Sequence, residues 1–225
     1  MDLNGIPMAE ITNSSARPTV VPAQPLDPST PDAIDRAMMA RCVELSRIGA
    51  GAGELPFGSL VAQRGKILAE ATNRAVRDGD ISRHAEIIAI AQAQKVLGTR
   101  DLADCTLYST VEPCPMCSFC IRESGIGRVV FALSSPVMGG FSKWNILRDD
   151  GLTDDIPLAF GAVPEVVTGI LPDEAAEAWR AWNPLAWRII RLRGYLTDPT
   201  ESAPRVHPAR PRRPLWRMMR TLFAR

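Results

Sequence analysis

The chain has 225 residues, 46% of them hydrophobic and 23% charged, with a formal net charge of +1, the profile of an ordinary soluble globular protein. That length fits one compact domain with tails better than two full domains, and no run of about 18 uninterrupted apolar residues is present to cross a membrane as a helix. The amino terminus has an acid at its second position and no apolar run of the kind an export signal needs, so a cytoplasmic location is expected.

Residues 1–28 carry five prolines and little apolar periodicity and read as a flexible leader. Order is expected to begin at Ser29-Thr30-Pro31-Asp32, where a hydroxyl cap and a first-turn proline announce a helix. Ile34, Met38, Cys42, Leu45 and Ile48 continue it at helical spacing, and the glycine-rich run 49–53 stops it. Two short apolar runs, 57–62 and 67–71, flank Arg64-Gly65-Lys66 as a β-hairpin, and a loop through Asn73 and Gly79 follows. A helix is predicted from Ser82 or Arg83 to Leu97, ended by Gly98, with His84 and Glu86 in its first turn. Strand 106–110, a helix entered through Glu112-Pro113-Cys114 and stopped by Gly125, and strand 128–132 come next. Residues 134–143 read as a loop and the acidic stretch 149–155 as a solvated one. Val163 to Leu171 is a candidate last strand, and helices follow over 172–182 and 184–193, bringing three tryptophans to pack against the sheet. The element order implies helices on both faces of a sheet, with parallel strands wherever a helix makes the crossover. One folded domain is thus expected over 29–197, and a basic tail over 198–225.

Five cysteines, three of them crowded at 114, 117 and 120, make a poor disulfide framework and a natural metal site. His84 is the one histidine that falls in the expected core; His207 lies in the tail. Zinc favours nitrogen and sulfur donors, and a hydrolytic zinc site keeps one position for water, so His84 with Cys114 and Cys117 has the right count. Cys-x-x-Cys at a helix start puts both sulfurs on one side within a turn, where the first-turn N–H groups favour thiolates. Glu86, two residues from His84, can face the same cavity without binding metal and take a proton from an activated water. Cys120 continues the run as either a further ligand, part of an iron–sulfur set, or a small buried residue of the helix. Cys42 and Cys105 read as packing. Phe141 and Trp144 either stack on a flat substrate from the 134–143 loop or bury against the C-terminal helices.

Pro56-Phe57-Gly58, His84-Ala85-Glu86, Glu112-Pro113-Cys114-Pro115-Met116-Cys117 and Gly127-Arg128-Val129-Val130-Phe131, in that order, resemble the cytidine/deoxycytidylate deaminase superfamily over roughly residues 30–135. The resemblance implies a three-layer α/β/α fold with a mixed sheet of about five strands, zinc on His84, Cys114 and Cys117, and Glu86 as the proton shuttle. It implies substrate contacts at Asn73, Phe57 and Ala85, no organic cofactor, and a homodimer.

Two branches of that superfamily compete. The 56–58 segment and residues 95–108 are similar to deaminases of free guanine and cytosine, whereas residues 125–131 are similar to tRNA wobble-adenosine deaminases. From Ser202 onward the tail holds seven arginines and no acid, which against the whole-chain +1 leaves the remainder at −6. A tRNA binder needs a cationic face, so a small nucleobase or nucleoside is the expected substrate and tRNA the alternative, with a non-catalytic zinc-scaffolded binding module as a third reading. Leu215, Met218, Met219 and Leu222 give the tail an amphipathic pattern that also suits an anionic surface.

Overall fold

The computed structural model describes residues 31–197, 199–201 and 205–209. The leader at 1–28, the Ser29-Thr30 cap and the amphipathic tail residues 215–222 lie outside these. Helix α1 spans Pro31–Gly51, the hairpin strands are β1 (Gly58–Gln63) and β2 (Lys66–Thr72), and a short helix α2 (Ala75–Asp78) stands where a loop is expected. Then come α3 (Ala85–Leu97), β3 (Cys105–Val111), α4 (Pro115–Glu123) and β4 (Arg128–Leu133). A short helix α5 (Gly151–Asp155), β5 (Glu165–Thr168), α6 (Pro172–Trp182), α7 (Pro184–Leu192) and β6 (Arg205–His207) complete the order.

The strands form one mixed sheet in the order β2-β1-β3-β4-β5-β6. β1 runs antiparallel to both β2 and β3, β3, β4 and β5 run parallel, and β6 returns antiparallel. The sixth strand is the difference from the expected five: Arg205–His207, assigned to the tail from its composition, pairs with β5. A three-residue strand carries too little alternation to register in a sequence.

Period-two alternation sorts the core onto two faces. Val61, Leu107, Val129 and Phe131 face one cluster with Ile88, Ala89 and Ala93 of α3 and Ile121 of α4. Leu60, Tyr108, Val130 and Ala132 face the other with Met39 and Cys42 of α1 and Ala176 and Trp179 of α6. The layers are therefore α3 and α4, sheet, then α1 and α6. Gly58 fixes how closely α1 lies on β1, since a Cβ there would sit 2.2 Å from the Cys42 carbonyl oxygen. α1 is also tied down by Asp35, whose buried carboxylate takes both Arg128 terminal nitrogens at 2.7 Å and the Tyr108 hydroxyl at 2.8 Å. Among the described residues no helix is long and apolar enough to cross a membrane.

Candidate metal centre and active site

β2 and β3 both run opposite to β1 and so run the same way. The helices that follow them, α3 and α4, consequently begin at one end of the sheet, the end at which open α/β sheets build their sites. His84 is the N-cap of α3 and Cys114 the N-cap of α4, both with extended backbone (ψ 148° and 171°) and neither side chain bonded back to its own helix. A serine or aspartate at either cap would spend its oxygen on the first-turn N–H groups. These two residues leave their donor atoms for something else.

His84 Nδ1 lies 3.5 Å from Cys114 Sγ and 3.4 Å from Cys117 Sγ, and the sulfurs are 3.6 Å apart. A tetrahedral zinc about 2.3 Å from two sulfurs and about 2.0 Å from a nitrogen needs S···S near ~3.8 Å and N···S near ~3.5 Å. The three side chains are thus set at the edges of a zinc tetrahedron and are a candidate metal group among the described residues. Cys120 is outside it; the residue is half-buried against the α3 and α4 cluster. Cys42 and Cys105 are buried, as expected of packing residues. The hydrogen bond shared with Cys117, helped by His84, holds the Cys114 thiol down to about 4, while that same sharing, with burial, pushes the Cys117 thiol well up. The Cys114 hydrogen bond also raises His84.

Glu86 follows one residue into α3 and is 5% exposed. Its carboxyl accepts from the Ser109 hydroxyl at 3.2 Å and lies in hydrogen-bonding reach of Cys117. Burial, then the negative Cys114, raises its pKa. Ser109 sits on the α3 side of β3, one alternation on from Leu107, a placement the strand's period would have revealed.

Of the expected substrate contacts, Ala85 opens α3 and is fully buried. Asn73 is buried just past β2, with Arg74 N bonded to Arg83 O at 3.0 Å, which brings it alongside the start of α3. The Phe57 ring packs edge-on against Trp179, centroids 5.2 Å apart, in the α1 and α6 cluster; its carbonyl accepts from Asn73 N at 3.2 Å.

Three residues that carry the surroundings were not singled out from sequence. Glu112, the last residue before Pro113-Cys114, receives Ser135 N at 2.7 Å, Phe141 N at 3.0 Å, Ser142 N at 2.6 Å and the Ser142 hydroxyl at 2.9 Å, so it gathers the 134–143 loop over the start of α4. Gly139 has to be a glycine there, since a Cβ would fall 2.0 Å from Glu112 Oε1. Arg122 is 1% exposed and donates to the carbonyls of Ile146, Asp149 and Gly161 and to the Thr153 hydroxyl. Glu54 is equally buried. For Glu54 and Glu112 a lone charge inside a glycine-rich or apolar stretch was the available signal; Arg122, followed directly by Glu123, carries none. The acidic stretch is accordingly no simple solvated loop, since its main chain is tied to Arg122 and it holds α5. The aromatic pair divides: Phe141 is buried between Phe131 and His207, while Trp144 is exposed.

Residues 32–133 match the model of the cytidine and deoxycytidylate deaminase zinc-binding region. A tRNA-specific adenosine deaminase of Bacillus subtilis is 34% identical over 142 residues, 62% of this chain and 83% of that protein. The chain belongs to the cytidine and deoxycytidylate deaminase family. It also matches a tRNA(Ile)-lysidine synthase of Deinococcus deserti at 35% identity over 66% of this chain, spanning only 26% of that relative's length. Among solved structures, a tRNA:A34 deaminase aligns with TM-score 0.57 at 29% identity, covering 63% of this chain and 98% of that one. A guanine deaminase from Nitrosomonas europaea aligns with TM-score 0.52 at 28% identity, covering 69% of this chain and 85% of that one. As a member of this deaminase family the chain has zinc as its cofactor, and His84, Cys114 and Cys117 are a group able to hold it.

Proposed function

We propose that this chain is a hydrolytic deaminase that removes the exocyclic amine of a free nucleobase or nucleoside and releases ammonia. The observation that carries the reading is Glu86, a buried carboxyl held by Ser109 against the Cys117 side of the three-ligand set. Zinc in an open site of this kind supplies a Lewis acid that makes water a nucleophile near neutral pH. Glu86 takes the first proton that water gives up and passes it to the ring nitrogen next to the reacting carbon; it then takes the remaining proton from the newly added hydroxyl and gives it to the departing amine, which leaves as ammonia while the carbonyl forms. One C–O bond forms, one C–N bond breaks and no electrons change hands. Its raised pKa suits a group that both accepts and donates a proton in one cycle. Asn73 holds one edge of the base, the first-turn N–H of Ala85 at the start of α3 is available to the opposite side, and Phe57 borders the pocket through the carbonyl that anchors Asn73.

The net −6 outside the arginine-rich tail favours a small substrate over a polyanion. Related solved structures hold 8-azaguanine, a free-base analogue. Deamination of a tRNA anticodon adenosine is the second reading, favoured by the tRNA-specific relatives. Ammonia release from guanine, adenine, cytosine, their nucleosides and an anticodon stem-loop separates the two; turnover of the stem-loop alone overturns the small-substrate reading. Glu86→Gln with zinc retained and turnover lost supports an enzyme, whereas an unaltered in vivo function would assign a zinc-scaffolded binding module.

A further inference from the structure

Glu54 lies between α1 and β1, following Gly53, whose positive φ (84°) turns the chain back, and its N–H is bonded to the Gly49 carbonyl at 3.1 Å. Its carboxylate is buried at 1% exposure and accepts three hydrogen bonds. Oε1 accepts Arg77 N at 2.7 Å; Oε2 accepts Val76 N at 3.3 Å and Asn73 Nδ2 at 2.9 Å. Both oxygens therefore already face main-chain donors from the first turn of α2. Such a carboxylate acts as acceptor only, and the Asn73 group turned toward it has to be the NH2. The amide is locked in one of its two flips. One N–H is spent on Glu54, while Oδ1 and the second N–H keep fixed places on the far side.

We propose that Glu54 is a specificity-determining positioning residue: by fixing the flip of the Asn73 amide, it sets the donor and acceptor pattern that Asn73 presents to the substrate base. The proposal rests on the reading of Asn73 as a substrate contact and deepens it. A base edge that offers a donor opposite Oδ1 and an acceptor opposite the remaining N–H is accepted, and its mirror arrangement meets two like groups. Neither flip changes the shape of the pocket, so discrimination comes from the pairing alone. A site built to pair a hydrogen-bonding edge discriminates strongly because the wrong partner leaves buried groups unmatched. Gln in place of Glu54 brings its own N–H groups to the same spot, allows the reverse flip and mixes the two patterns.

The test is a double-mutant cycle in the zinc-loaded full chain with Glu54→Gln, Asn73→Ser and the pair. Its readouts are zinc content, thermal midpoint, KM and kcat for ammonia release on the best substrate, and calorimetric binding of 8-azaguanine. Glu54→Gln is expected to raise KM and the 8-azaguanine Kd about tenfold or more, with kcat within about threefold and zinc content unchanged. In the Asn73→Ser background the same change is expected to alter KM and Kd by less than about twofold, because its route to the substrate has been removed. Equal losses in both backgrounds, or a Glu54→Gln enzyme with unaltered KM and Kd, overturn the proposal. Should Glu54→Gln fail to fold, Glu54→Asp keeps an acceptor with a shorter reach and is expected to raise KM with zinc retained; an unchanged KM overturns the proposal in the same way. A wild type that binds 8-azaguanine but releases no ammonia refutes the deaminase reading while leaving the Kd arm of the cycle decisive, and one that does neither overturns both.

Discussion

The site around Glu86 and the loop around Glu112 are neighbours in the fold and opposites in chemistry. Both carboxyls are buried, and burial raises the pKa of each. Glu112 accepts from three main-chain N–H groups and a hydroxyl. Glu86 has a hydroxyl at 3.2 Å, the Cys117 thiol and a single main-chain N–H, its own, within reach. A carboxylate saturated by fixed donors organises the loop that supplies them, whereas one left with unused lone pairs beside a metal set retains capacity to handle a proton. Burial alone does not distinguish a structural acid from a chemical one. The partners do.

The largest effect expected from breaking this contrast is on turnover. Glu86→Gln should lower kcat by about a thousandfold, within the usual span for a lost general acid–base group, while metal analysis still finds one zinc per chain. At the loop the loss should instead appear as stability. Glu112→Ala orphans three main-chain donors and should cost about 3 kcal/mol or more in denaturant unfolding. If Glu86→Gln destabilises as much as Glu112→Ala, the division between the two regions is wrong. Gly139→Ala probes the loop from its other side, with a Cβ 2.0 Å from Glu112 Oε1, and should cost about 1–3 kcal/mol by overpacking, read as a lowered thermal midpoint at unchanged zinc content.

The smallest effect belongs to a third carboxylate that serves as a control. Glu70 on β2 is held below its ordinary 4.5 by hydrogen bonds from Arg41. A depressed carboxyl contributes stability that is complete above its unfolded pKa and is lost as pH falls through its lowered folded value. Glu70→Gln should therefore cost about 1 kcal/mol or less at pH 7, as expected for a half-exposed pair, and nothing once both states are protonated at low pH. Equal destabilisation at pH 7 and in acid would show that the pair acts through packing.

The ligand set was legible from the sequence because each half is local: His84 and Glu86 are two residues apart, Cys114 and Cys117 three, and both halves fall at helix starts that apolar periodicity marks. The hairpin, β3, β4 and the last two helices were legible for the same reason, since each carries its own alternation or spacing. Glu54, Glu112 and Arg122 were not, because their partners lie 19 or more residues away and are mostly main-chain atoms, which no residue type announces. Phe141 and Trp144 show the same limit. Three residues apart in one loop, they end 7% and 55% exposed, and Phe141 gains its cover from Phe131, Arg148 and His207, the last contributed by a strand more than sixty positions later.

That late strand has a consequence for anyone shortening the protein. Among the described residues, β6 is what covers the outer rim of β5 along Val166–Thr168, and an uncovered rim of a β-layer is a template for a second molecule. Trimming the chain at residue 201 to discard an apparently dispensable arginine-rich end should leave the rest of the domain folded but sticky, with aggregates forming as concentration rises.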